Sequence, residues 1–151
     1  MPLVAFAHSH SSLAYLIFFA ALMNLFLGLT AMTSKQSSFV HTPLKWSHRV
    51  LLWGGRLNLL IGAVYWASGP WIDFPITTQW WVFLSVLLWG PIEVMSKRFV
   101  GPEMEYMADG GKPGRRLTMG IGIQLLCITL IFGMMSAKFY HGWFFSQKKC
   151  T

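Results

Sequence analysis

Residues 48–66, HRVLLWGGRLNLLIGAVYW, put a guanidinium and a carboxamide inside a segment otherwise apolar enough to cross a bilayer. As an α-helix rising about 1.5 Å per residue, the segment carries Arg56 roughly 12 Å and Asn58 roughly 15 Å beyond His48. A charge at that depth needs a partner or a route back to water. With about 100° of turn per residue, Arg49, Trp53, Arg56 and Leu60 share one face, and Gly54, Gly55, Asn58 and Gly62 share nearly the opposite one. The helix therefore has a charged face and a close-packing face. On the second, small residues let a neighbouring backbone approach while an amide hydrogen-bonds across the gap.

The rest of the chain agrees with a membrane setting. Its 151 residues are 54% hydrophobic and 16% aromatic but only 11% charged, against about 25% charged in an ordinary soluble domain. Almost all of its length is taken up by apolar runs, which leaves room for one integral membrane domain over 1–151 and for no separate soluble one. The net charge of +7 does not point to nucleic acid, because the basic residues sit in the connections between apolar runs. There they act as topology signals and contacts to anionic membrane lipids. Cys127 falls inside an apolar run and Cys150 lies next to the C-terminus, so no bond between them is expected. No lysine or arginine precedes the first apolar run, which argues against a cleaved signal peptide.

The expected fold is all-α, a bundle of four transmembrane helices at about 12–32, 48–66, 79–96 and 117–137. Between the first two, Pro43 is expected to stop any continuous helix, making a short hairpin connection that also carries Lys35, His41 and Lys45. The small positions of span one, Ala20, Ala21, Asn24, Gly28 and Ala31, match the glycine face of span two. That match is expected to bring Asn24 and Asn58 close enough to hydrogen-bond directly or through one residue. After span two, SGPWIDFPITTQ forms a compact interfacial turn, with Trp71, Trp80 and Trp81 as an aromatic belt. Pro91 predicts a kink one turn before Glu93. The connection 97–116, rich in Gly and Pro, is expected to be a solvated loop; its GGKPGRR core lacks the pattern of a phosphate loop. Lys35, Lys45, Arg49, Lys97, Arg98, Lys112, Arg115 and Arg116 all fall in the connections after spans one and three. By the positive-inside rule, both termini then face away from the cytoplasm, in a multi-pass protein of the bacterial inner membrane.

Two constellations could carry chemistry. Asn24, Arg56, Asn58, Glu93 and Gln124 define an intramembrane polar layer near the cytoplasmic face. Its core is an Arg56–Glu93 ion pair, which serves either as a ligand pocket or as glue between helices. His8, His10 and His141 fall together on the opposite side, where imidazoles from two helix ends could ligate copper, another metal or a haem iron. His41 and His48 lie at the other interface and cannot complete that site. No serine, cysteine or carboxylate arrangement suggests hydrolysis, and no catalytic residue is identified.

The histidine opening span one (HSHSSLAYLIFF), the basic residue and glycine-rich stretch opening span two (SHRVLLWGGRLNLLIG) and the tryptophans opening span three (QWWVFL) resemble one group of proteins. These are the small four-helix bacterial membrane proteins of the CopD and HemJ type, and short proteins loosely labelled cytochrome b. HemJ-type enzymes bind haem and pair the first-span histidine with a lysine early in span three. This chain has no lysine in span three before Lys97, so the resemblance carries over only His8 or His10 as a haem or metal ligand. Taken together, the residues favour a non-catalytic subunit of a larger membrane complex, with other membrane subunits and lipids as partners. A haem- or copper-binding redox protein is the alternative.

Overall fold

The computed structural model describes residues 2–33, 38–68 and 80–147, with side chains at 8–33, 39–68, 80 and 82–135. All elements among them are helical: α1 Pro2–Thr33, α2 Ser38–Ser68, α3 Trp80–Met95, a π-helical turn Ser96–Val100, α4 Gly101–Ala108 and α5 Arg115–Gln147. The stretches His8–Thr33, Phe39–Ser68 and Arg115–Met135 are each long and apolar enough to cross a membrane. Trp71 and the rest of the 68–79 turn after Ser68 lie outside the described residues, as do Lys35, Cys150 and the side chain of Trp81. Trp80 opens α3 in an exposed position.

Helix α1 is central, packed along α2 on one side and α5 on the other, and α5 in turn packs against α3. The α1–α2 seam is close because glycines on α2 leave room for α1 side chains. A β-carbon at Gly54 would lie 3.3 Å from the Ile17 side chain, and one at Gly62 would lie 2.9 Å from the His10 ring. The glycine faces of spans one and two were expected to meet, and Gly54 and Gly62 do face α1. Gly28 instead faces α5, where a β-carbon would meet Ile121 at 2.8 Å. Phe132 of α5 stacks on Phe18 and takes Tyr15 edge-on.

Four boundaries differ from the sequence expectation: α1 begins at Pro2, ten residues before the expected start at about 12, and three others follow. First, α2 starts at Ser38 and contains Pro43. A proline so close to a helix start removes one donor from the first turns and clashes only with a carbonyl at the helix entrance, so the helix survives. Second, the connection 97–116 is mostly not a loop: helix continues from α3 through the π turn into α4, and only residues 109–114 are non-helical. Pro102 sits in the first turn of α4, where a missing N–H matters least. Just before it, the Gly101 N–H reaches back to the Ser96 carbonyl and closes the wide turn. Helix α3 is continuous through Pro91, and the widened turn at Ser96–Val100 lies about two turns beyond the position one turn before Glu93 where Pro91 predicts a kink. Third, α5 runs on to Gln147 instead of ending near 137.

The packed interior falls into two apolar clusters. One joins Ile17, Ala20, Ala21, Leu51, Ile92, Cys127 and Ile128. The other, toward the α4 end, joins Ala31, Val40, Leu44, Val100, Met107, Leu117 and Ile121. Met107 brings α4 onto the first turns of α2 and closes that end of the bundle. Gly120 lets α5 approach the π turn; a β-carbon there would lie 2.9 Å from Val100 and 3.0 Å from Phe99.

Candidate functional site

Between the two apolar clusters lies one polar side chain from each long element. On α1 it is Asn24, after Ala21; on α2 it is His48, between Leu44 and Leu51. On the third element it is Ser96, between Ile92 and Val100, and on α5 it is Gln124, between Ile121 and Cys127. All four are buried. The antiparallel packing puts them at one level: Ser47, beside His48, donates to the Ala20 carbonyl (3.1 Å), one turn from Asn24. His48 Nε2 and Ser96 Oγ are 2.9 Å apart, and Gln124 Nε2 donates to the Ile92 carbonyl at 3.0 Å. Several polar atoms of this layer have no partner among the described residues: both side-chain atoms of Asn24, His48 Nδ1 and Gln124 Oε1.

Of the expected polar layer, Asn24 and Gln124 are therefore members, while Arg56, Glu93 and Asn58 stand elsewhere. Arg56 and Glu93 form the anticipated ion pair, with Nε on Oε1 and Nη2 on Oε2, both at 2.8 Å. The pair sits on the rim between α2 and α3 instead of in the interior, with 39% of the Arg56 side chain and 22% of that of Glu93 exposed. The Arg56 guanidinium also lies over the Trp53 ring, 5.0 Å from its centroid. Arg49 lies likewise over Trp46 at 5.4 Å. The charged face of α2 is thus the exposed one, as its spacing predicts. Trp89 closes the rim from α3: its Nε1 donates to Glu93 Oε1 at 3.3 Å while its ring lies against Gly55.

Asn58 does not meet Asn24. It lies beside His10, whose ring rests on Gly62. The cause is the early start of α2. Once the helix begins at Ser38, the residue level with Asn24 is His48, about three turns before Asn58. The same shift overturns the placement of His48 at an interface, since it is 3% exposed and occupies a core position. The signal was present in the sequence, because Val40, Leu44, His48, Leu51 and Gly55 recur at helical spacing through Pro43.

The histidine constellation is only partly visible. His8 is exposed, His10 is half-buried against α2, and the side chain of His141 lies outside the described residues. Among the described residues, no three His, Cys, Asp or Glu side chains gather as a metal-binding group. Comparison with protein-family models, curated proteins and solved structures found no match to this chain.

Proposed function

We propose that the chain is a four-span integral membrane protein of the bacterial inner membrane, both termini away from the cytoplasm, that serves as a non-catalytic subunit of a larger membrane assembly. In this reading the fourth span is α3 with its π-helical extension. Together they run from Trp80 to Val100, about 30 Å at the helical rise, which matches the hydrocarbon thickness. The exposed cations Lys45, Arg49, Lys97, Arg98, Lys112, Arg115 and Arg116 cluster at the α4 end, which supports placing that end in the cytoplasm.

The observation that carries the subunit assignment is the rim ion pair. Arg56 and Glu93 neutralise each other yet present polar surface outward from within apolar segments, flanked by the exposed ring of Trp53. Lipid tails offer such a surface no hydrogen bonds, whereas a helix from a neighbouring subunit can cover it. The test is a photo-crosslinking amino acid at position 53, compared with one at Phe26, which is exposed on α1. In native membranes, position 53 is expected to give a discrete protein adduct that is lost when Arg56 and Glu93 are both replaced by leucine, and Phe26 to give none. Lipid adducts alone at position 53, with a monomer mass in native nanodiscs, would remove the basis for the assignment.

A further inference from the structure

The buried layer of Asn24, His48, Ser96 and Gln124 has features that the rim pair lacks. Each of its side chains is more than nine-tenths buried. Each comes from a different element, and apolar clusters close the layer on both sides. Its internal hydrogen bonds leave capacity unused: Asn24 keeps a free donor and a free acceptor, Gln124 keeps its carbonyl oxygen, and His48 keeps one ring nitrogen. Apolar packing cannot satisfy these groups, and buried polar groups in folded proteins find partners almost without exception.

We propose that this layer is a binding site for a small uncharged guest that both donates and accepts hydrogen bonds, with water as the occupant. The choice follows from the donor set. No charged side chain belongs to the layer: Arg56 and Glu93 satisfy each other on the rim, and Arg49 and Lys97, next in sequence to His48 and Ser96, are exposed, so an ion in the layer would have no counter-charge. Carboxamides and an imidazole present donors and acceptors together, and a water site requires roughly two to four such partners. Water accepts from Asn24 Nδ2 and donates to Asn24 Oδ1 or Gln124 Oε1, while His48 Nδ1 takes either role. If His48 Nε2 carries the proton, it donates to Ser96 Oγ and Nδ1 accepts from water. If Nδ1 carries it, the Ser96 hydroxyl donates to Nε2 and Nδ1 donates to water. Occupancy thus adds a bridge among α1, α2 and α5 at a level where, among the described residues, direct side-chain bonds join α2 to α1 through Ser47, α2 to the third element, and that element to α5. This site stands independently of the subunit assignment.

The test is water-to-protein magnetisation transfer by proton-detected solid-state NMR on the full ¹⁵N-labelled chain in nanodiscs. Transfer is expected to the side-chain amides of Asn24 and Gln124 and to the His48 ring, and not to the backbone amides of Leu51 and Ile121 on either side. In Gln124→Leu, the transfer to Asn24 should weaken at least twofold and the His48 ¹⁵N shifts should move. If that variant does not fold, the native spectrum decides alone. Absence of transfer to all three side chains, or through-bond couplings showing that Asn24 bonds directly to Gln124 or His48, would overturn the site. Layer resonances that respond to sodium, potassium or ammonium at constant ionic strength would equally overturn the choice of an uncharged guest.

Discussion

Replacing Gly55 by alanine tests how α2 and α3 are held together. Trp89 of α3 fills the space where a side chain at 55 would go. A β-carbon there would lie 1.8 Å from Cη2, 2.5 Å from Cζ3 and 2.6 Å from Cζ2 of the ring. Carbon atoms rest at about 3.5–4.0 Å, so the indole must withdraw by roughly 1.5–2 Å. It cannot do so freely, since its N–H is bonded to Glu93, which also holds Arg56. Forcing extra volume into a packed contact of this kind costs about 1–3 kcal/mol. Gly133→Ala provides the control: its added β-carbon meets nothing within 4 Å, and the substitution removes the conformational freedom of a glycine in the unfolded chain. Loss of helicity during SDS titration from mild detergent micelles should show Gly55→Ala unfolding at lower denaturant and Gly133→Ala at equal or higher denaturant. Trp89→Leu in the Gly55→Ala background should restore most of the loss. Equal stability of Gly55→Ala and the native chain would refute the wedge.

Glu93→Gln leaves the Arg56 charge without its counter-ion and should cost about 1–2 kcal/mol in the same titration. Arg56→Met combined with Glu93→Leu should lie closer to the native chain, because no charge is stranded. Gly120→Val should destabilise by about 1–3 kcal/mol, since α5 lies directly against Val100 and Phe99; a neutral result would mean the π turn can retreat. Cys127 is buried in the apolar core and should react with a maleimide only after unfolding, which mass spectrometry reads directly. For orientation, a cysteine at Lys112 should be labelled by an impermeant maleimide only in inverted vesicles, and the opposite sidedness would reverse the proposed topology.

Much of this fold is legible from apolar run lengths, because a backbone inside hydrocarbon has few alternatives to helix. The faces of α2 are legible for the same reason. So is the Arg56–Glu93 pair, since a guanidinium within an apolar segment demands a carboxylate and Glu93 lies within the neighbouring apolar run. Depth was harder to read. Treating Pro43 as a stop shortens α2 by ten residues, puts Asn58 opposite Asn24 and leaves His48 at an interface. A proline in the sixth position of a helix, however, interrupts almost nothing. The flanking Lys45 and Arg49 strengthened the error. Both are exposed, yet His48, about 100° from Arg49 around the helix, turns into the core. The helix through 97–108 was hidden by Gly101 and Pro102, residues that break a helix in its interior but open one at its start.

The π-helical turn has a consequence for how the chain tolerates change in length. A wide turn of this kind takes up one residue more than an α-helical turn would, so the helix on either side keeps the angular phase it would have had without that residue. Ile92 and Met107 point into their respective cores across this turn, about four turns apart once the surplus residue is discounted. Removing Lys97, whose side chain is exposed, therefore leaves a regular helix with both anchors still facing inward. Removing one residue between Ser85 and Ile92 would instead turn Ser85 and everything before it by about 100°. Among the described residues, the π turn is thus a place where a single-codon deletion within a long helix is expected to leave packing unchanged, and it lies beside the buried Ser96.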